Sequence, residues 1–140
     1  MIEKHSQDEL HTHPRLNPDP TSHLILAPEN QAFKYQVDDD TVSGSGIHMI
    51  LPHSRTIVID HSQPFIIIGI KLRAGALYSL GFPPDLPLVD SIINDTSRLP
   101  SGINRIDSTA LLKTASSNIE ATCRMLDACL ESWILDCHED

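Results

Sequence analysis

The chain has 140 residues and a mass of 15.5 kDa, the size of one domain that can bury an apolar core without disulfides or a metal. Its 10 Lys and Arg against 19 Asp and Glu give a formal net charge of -9. This charge repels nucleic-acid phosphates and anionic lipids, so we predict no direct contact with DNA or RNA. No apolar stretch reaches the length of a membrane span, and the 3 cysteines lack the spacing of a metal or disulfide framework. We therefore expect a single-domain, cytoplasmic protein that does not bind membranes.

The first 20 residues are polar, with Pro14, Pro18 and Pro20 among histidine and acidic residues. Proline restricts φ and removes a backbone donor, so residues 1–20 are expected to form an irregular arm. Within the arm, His11 and His13 have the alternate spacing by which one strand can present two imidazoles to a metal. Because Pro14 follows at once and the surrounding sequence is a polar tail, we favour a solvated arm over a metal site.

Residues 21–75 have the pattern of a β domain, with short apolar and β-branched runs separated by Pro, Gly and Asp. The 65–72 run is apolar on both faces until Lys71, so both of its sides must be covered. We expect the strands to form a barrel, or a sandwich with helices packed outside. The predicted strands are 22–27, 33–37, 47–51, 55–60 and 65–72, the last two joined by a linker of turn length.

Helical signals begin after the strands. Residues 76–80 read as a short helix that Gly81 can cap, and the rest of 76–106 is expected to be a connection. Asp107 or Ser108 can cap a further helix, and the Ser-Asn-Ile-Glu run at 117–120 has the form of a capping box. Residues 107–138 are therefore expected to form a helical hairpin.

An apolar stripe runs along the second helix of this hairpin. The stripe can pack against the strands as core, or part of it can form the seam of a dimer. Both alternatives are compatible with the pattern. The candidate dimer residues are Ile119, Leu126, Leu130 and Trp133.

No catalytic motif is present, since the sequence lacks a nucleophile elbow, a dinucleotide fingerprint and a paired metal knuckle. The Ser-Gly-Ser-Gly run at 43–46 lacks the lysine and helix of a phosphate-binding loop and is expected to be a turn. A lone imidazole in or beside a strand is usually a hydrogen-bonded core residue, and four histidines fall there: His23, His48, His53 and His61. We predict no enzymatic activity, no metal and no cofactor.

Residues 68–75 (Ile-Gly-Ile-Lys-Leu-Arg-Ala-Gly), followed by 76–83 (Ala-Leu-Tyr-Ser-Leu-Gly-Phe-Pro), resemble the N-terminal sensor domain of one group of AraC-type transcription regulators. The Pro-Asp pair at 18–19 and the strand at 47–55 are similar to the same family. The resemblance implies an α+β fold, a cupin-like β-barrel followed by a C-terminal helical hairpin. It also implies a helical segment that dimerises. The family's helix-turn-helix pair has no counterpart in these 140 residues.

The leading hypothesis is therefore a ligand-sensing and dimerisation domain of an AraC-family regulator, with a small-molecule effector and a homodimer formed through the C-terminal helix. Polar and apolar residues on the clearest strands are the candidate ligand contacts: His48, Arg55 and Ile67. One alternative is a small cupin-type enzyme with a metal held by His11, His13 and a strand histidine. Another is a stand-alone interaction protein that pairs with a full-length regulator.

Overall fold

The computed structural model describes residues 2–4, 13–60, 65–73, 76–81, 90–94, 99, 103 and 106–137. This part of the chain has an α+β fold with two antiparallel sheets and a helical C-terminal region. The elements in chain order are β1 (Ile2–Lys4), β2 (Arg15–Leu16), β3 (Ser22–Leu26), β4 (Ala32–Val37), β5 (Asp40–Ser45), β6 (His48–Ile50), β7 (Ile57–Ile59), β8 (Phe65–Leu72), α1 (Ala76–Ser79), β9 (Ile92–Ile93), α2 (Ser108–Ala115) and α3 (Ile119–Cys137).

The larger sheet has five strands in the order β1-β8-β3-β6-β9. Its centre is β3, whose neighbours β8 and β6 both run antiparallel to it. Ile25 lies opposite Gly69 on one side and opposite His48 on the other. Because side chains alternate along a strand, this register places Ile25, His48 and Gly69 on the same face of the sheet.

The smaller sheet has the order β2-β7-β4-β5. Its β4–β5 hairpin closes at Val37 and Asp40, with Asp38 and Asp39 in the turn and Asp38 at φ 54°. Aspartate tolerates this left-handed conformation better than most residues. The sequence predicts the turn here but not β5, because its polar Asp-Thr-Val-Ser-Gly-Ser run has no apolar alternation.

All five predicted strands are present, but β7 and β8, which a short linker joins, do not pair with each other. Strand β7 pairs with β2 and β4 in the smaller sheet, whereas β8 pairs with β1 and β3 in the larger one. The chain therefore passes from the smaller sheet to the larger one between β7 and β8. Linker length alone cannot distinguish such a crossing from a hairpin.

The predicted closed barrel is not found in the described residues. The two sheets pack face to face, and no backbone ladder joins them. At one side, where the edge strands β5 and β9 approach, the Ser45 N–H donates instead to the Asn94 side-chain oxygen at 3.0 Å. At this junction, a side-chain hydrogen bond takes the place of strand pairing. The two sheets therefore form a sandwich, with the helices outside it.

The N-terminal arm and the long connection are more ordered than the sequence suggests. Strand β1 pairs with β8 and strand β2 pairs with β7, so parts of the predicted irregular arm form sheet edges. Strand β9, inside the predicted connection, pairs with β6. Each of these strands has two or three residues, too few to show a periodic pattern.

The predicted helices are confirmed. The Asp107 side chain accepts a hydrogen bond from the Ala110 N–H at 3.0 Å and caps α2. Helix α3 is capped by Asn118, which accepts from the Ala121 N–H at 3.0 Å, rather than by Ser117 as the capping box predicts. Helix α1 is followed by Gly81 at φ 83°, consistent with the predicted glycine cap. Among the described helices, none combines the length and apolar character needed to cross a membrane.

Two apolar clusters lie on opposite faces of the five-stranded sheet. The helix-side core packs the sheet against the helices and contains Leu24, Leu26, Met49, Leu51, Ile68, Leu80, Ile93, Leu99, Ile103, Ile106, Leu111, Leu112, Ala115 and Trp133. The inter-sheet core packs the two sheets together and contains Ile25, Ala27, Phe33, Tyr35, Ile50, Ile57 and Ile67. Strand β8 contributes to both clusters, with Ile68 in the helix-side core and Ile67 in the inter-sheet core, as its continuous apolar run predicts.

Candidate functional site

A cavity of about 270 Å³ lies between the two sheets, beside the inter-sheet core. Its volume is near the lower end of the range for small-molecule sites. Most of its wall is aliphatic or aromatic, and its polar groups are few. We call it the inter-sheet cavity, and the described residues that line it are Leu16, His23, Ile25, Phe33, Tyr35, Ile50, Ile59, Ile67, Gly69 and Lys71.

Gly69 leaves room for this cavity. It lies opposite Ile25 in the β3–β8 ladder, where any larger residue would project between the sheets. A Cβ at this position would meet only the Ile25 Cδ1 atom, at 3.8 Å, which is ordinary van der Waals contact. The position therefore has free space in front of it, and a larger side chain there would occupy the cavity.

Behind one wall of the cavity, Tyr35 and His48 form a buried hydrogen-bonded pair. Tyr35 Oη lies 2.5 Å from His48 Nε2, and His48 Nδ1 lies 3.0 Å from the Gly46 carbonyl oxygen. Because a carbonyl only accepts, Nδ1 carries the proton, and Nε2 accepts from the Tyr35 hydroxyl. Both groups are thereby satisfied with the imidazole neutral.

Burial keeps this pair uncharged. It lowers the pKa of His48, although the Gly46 carbonyl opposes the shift, and it raises the pKa of Tyr35. An imidazolium would need to donate from both nitrogens, which would leave the Tyr35 hydroxyl proton without its acceptor. The pair therefore orients the Tyr35 ring against the cavity as part of a fixed wall.

Gly44 on β5 provides the space for the His48 ring. A Cβ on Gly44 would lie 2.6 Å from His48 Cδ2 and 2.8 Å from Nε2. The Phe33 ring is also nearby, with its centroid 6.4 Å from that of His48. The imidazole is thus packed against the backbone of the opposite sheet, and its close approach requires glycine.

Charged and polar groups gather at one end of the inter-sheet cavity. His23 and Lys71, direct partners in the β3–β8 ladder, both line it. Asp19 Oδ2 lies 3.6 Å from His23 Nε2 and 3.5 Å from Lys71 Nζ. The other Asp19 oxygen accepts from the Thr21 hydroxyl at 2.6 Å and the Thr21 N–H at 2.8 Å.

These contacts determine the charge states of Asp19 and His23 at that end of the cavity. The hydrogen bonds from Thr21 hold the pKa of Asp19 well below its usual range, with Lys71 and His23 acting in the same direction. Desolvation lowers the pKa of His23, against the opposing effect of Asp19. At neutral pH, Asp19 is anionic, Lys71 is cationic and His23 is neutral.

A second cavity, of about 290 Å³, has a more polar lining that includes Arg55, His53, Asp40 and Asp90. Arg55 donates to an Asp38 carboxylate oxygen at 2.5 Å, and both side chains are mostly exposed. The Asp90 carboxylate accepts from the Ser54 N–H and hydroxyl at 2.7 and 2.8 Å. Three of its polar side chains, those of Arg55, His53 and Asp90, thus have partners in the chain.

The three candidate ligand contacts are not brought together. Ile67 lines the inter-sheet cavity, His48 lies behind it against Tyr35, and Arg55 lines the second cavity. The sequence analysis missed His23, Tyr35 and Lys71 as site residues. The alternation of each strand indicates which residues share a face, but only the strand register shows that His23 and Lys71 meet.

The four candidate dimer residues also have different surroundings. Ile119 is 60% exposed, Leu126 and Leu130 are half-buried against the helix-side core, and Trp133 is only 1% exposed. Trp133 is therefore a core residue of the single chain and is not accessible to a second copy. Ile134 and Leu135, at 46% and 58% exposed, add to the apolar surface of α3.

The predicted metal alternative lies partly outside the described residues. His11 lies outside them, and His13 is an exposed residue whose Nε2 is 3.7 Å from Asp60 Oδ1. In the part of the chain that the structure describes, no group of three or more His, Cys, Asp or Glu side chains is placed to hold a metal ion.

Comparison of the chain with protein-family models, curated proteins and solved structures finds no match. The site must therefore be interpreted from its own geometry, together with the local resemblance at 68–83.

Proposed function

We propose that this chain binds a small, mostly apolar molecule in the inter-sheet cavity and acts as the sensing part of an AraC-type transcription regulator. The cavity itself is the observation that carries the first half of the proposal. It is preformed, largely apolar and bounded by a few polar groups at one end, which are the usual properties of small-molecule sites.

The arrangement of polar groups supports binding over catalysis. The Tyr35 hydroxyl and both His48 nitrogens are committed to each other and to the Gly46 carbonyl. The remaining polar groups of the lining, His23 and Lys71, lie beside Asp19 at one end. This set can orient a ligand, with the Tyr35 hydroxyl held in the cavity wall by its hydrogen bond to His48.

A sensor must also pass the signal on, and the five-stranded sheet offers a direct route. Neighbouring residues of its strands alternate between the cavity and the helix-side core: Ile25 and Ile67 face the cavity side, while Leu24 and Ile68 pack with the residues of α2 and α3. A ligand that favours one position of these strands would shift the balance of helix positions. The exposed Ile119 and Ile134 on α3 support a homodimer through that helix.

The binding half of the proposal can be tested with the neutral fluorescent probe N-phenylnaphthylamine, whose emission rises in apolar sites. We expect saturable binding to the wild-type chain and its loss in Gly69→Ile, because the isoleucine would fill the cavity. The control is Ser43→Val, which adds a β-branched residue at an exposed position of β5. Absence of saturable emission, or undiminished binding to Gly69→Ile, would refute the proposal.

Dimerisation is tested by a separate measurement. Sedimentation equilibrium should show a wild-type dimer and a monomeric Ile119→Glu/Ile134→Glu variant with unchanged circular dichroism. A strictly monomeric wild-type chain at high concentration would remove the dimerisation part and leave ligand binding to be judged by the probe.

A further inference from the structure

His23 lines the inter-sheet cavity, and one of its ring nitrogens is an unsatisfied polar atom. Its Nε2 atom is buried and has no hydrogen-bond partner within the described residues. The nearest charged group, Asp19 Oδ2 at 3.6 Å, is beyond hydrogen-bond distance. A buried polar group without a partner destabilises the fold, so a ligand atom that bonds to Nε2 would recover that free energy.

We propose that the inter-sheet cavity selects an uncharged ligand: an apolar body with one hydroxyl group that hydrogen-bonds to His23 Nε2, beside the Asp19–Lys71 pair. This inference rests on the proposed function, since it names the chemical class of the molecule that the cavity binds. It adds a specificity-determining residue, His23, and a mechanism of charge discrimination.

The charges at the His23 end of the cavity favour neither sign of ion. Asp19 contributes one negative charge, Lys71 one positive charge, and the two lie 3.5 Å apart. A ligand carboxylate placed at His23 would approach Asp19, and a ligand ammonium would approach Lys71. Each would also lose its hydration in an apolar cavity, whereas desolvation of a hydroxyl costs much less and one hydrogen bond can offset it.

A hydroxyl also suits either protonation state of Nε2. It can donate to an unprotonated nitrogen or accept from an N–H, because it has both a donor and lone pairs. The Tyr35 hydroxyl does not compete for the ligand, since it already donates to His48. The ligand head therefore lies at the His23 end, with its apolar body towards Phe33 and Ile50.

Three compounds with the same tail and different heads test this selection: octanol, octanoate and octylamine, each measured by displacement of N-phenylnaphthylamine near neutral pH. Octanol should bind the wild-type chain about tenfold more tightly than either ion, the size of effect expected when a charge is desolvated beside a like charge. Equal or tighter binding of octanoate or octylamine would overturn the proposal.

Changing one charge at a time should change the preference in a predictable direction. Asp19→Asn retains an oxygen that can accept from Thr21 and leaves Lys71 unopposed, so octanoate should gain about tenfold. Lys71→Met leaves Asp19 unopposed, so octylamine should gain by a similar factor. Octanol affinity should change little in either variant, and Lys34→Met, at an exposed position on β4, is the control.

The role of His23 itself is tested with His23→Leu, which retains the apolar bulk and removes the nitrogen. Octanol should bind about five- to tenfold more weakly, the value of one hydrogen bond, while binding of the probe persists. Unchanged octanol affinity would refute the role of His23. If the probe binds but the three octyl compounds are not distinguished, only this inference fails; if no compound binds, the proposed function fails as well.

Discussion

The two faces of the five-stranded sheet are packed differently. On the helix side, Leu24, Met49 and Ile68 belong to a cluster of buried apolar side chains that includes Trp133 on α3. On the other side, Ile25 and Ile67 share their face with His48 and Gly69, and a cavity remains. One face of the same sheet thus supplies stability, and the other leaves space for a ligand. Incomplete packing, rather than a recognisable motif, is the basis of the proposed binding site.

The largest loss of stability should come from a substitution in the helix-side core. Trp133→Ala should lower the free energy of unfolding by about 3 to 5 kcal/mol, as expected for a large-to-small change at a fully buried aromatic residue. Its indole N–H has no hydrogen-bond partner in the described residues, so packing alone carries this contribution. Urea unfolding followed by circular dichroism measures the loss. Ile134→Ala, at a 46% exposed position on the same helix, should cost about 1 kcal/mol or less, and equal losses would contradict the comparison.

A smaller loss of stability should follow from adding a methyl group at Gly44, beside the His48 ring. Gly44→Ala would place a Cβ 2.6 Å from His48 Cδ2, and the ring is held at both nitrogens. We expect a loss of about 1 to 3 kcal/mol, as for overpacking of a core. The neighbouring Ser43→Ala, on the exposed face of β5, is the matched control. Adding His48→Ala to Gly44→Ala should remove most of the penalty of the glycine change, and additive losses would show that the ring does not cause it.

The smallest effect should be a dependence of stability on pH to which two histidines of the cavity side, His48 and His23, contribute. The unfolded chain binds a proton at each histidine near the ordinary pKa of about 6.5, whereas the pKa values of His48 and His23 are lowered in the folded chain. Protons then bind preferentially to the unfolded state, so stability is present above that pH and is lost as pH falls.

Between pH 7 and pH 5, this loss should not exceed about 2 kcal/mol for each such histidine, the limit reached if the folded chain binds no proton there. Urea unfolding of wild type and His48→Gln at both values measures it. The variant should show a smaller pH dependence, whatever its stability at pH 7. Identical pH dependence in the two chains would show that His48 binds its proton equally well when folded.

Local signals predicted much of the fold correctly. The strands around Leu24, Tyr35, Met49 and Ile68 follow from runs of apolar and β-branched residues, and the start of α2 follows from the capping ability of Asp107. The polar strand β5 and the very short β1, β2 and β9 were not predicted, because each lacks a periodic apolar pattern. The structure does not bring together the predicted ligand contacts His48, Arg55 and Ile67, because the residue pattern within a strand does not indicate which strands pack against each other.

By itself, the sequence determined that strand 65–72 needs cover on both faces, that helices follow the strands, and that the chain carries a strong negative charge. These properties are encoded in neighbouring residues and in composition. Tertiary structure decided that this cover comes from a second sheet and a helical layer, with no closed barrel in the described residues. It also decided that Gly69 lies opposite Ile25 and that Lys71 lies opposite His23. Register between strands distant in sequence depends on the packing of the whole core, and a shift of one residue would turn His23 and Lys71 away from the cavity.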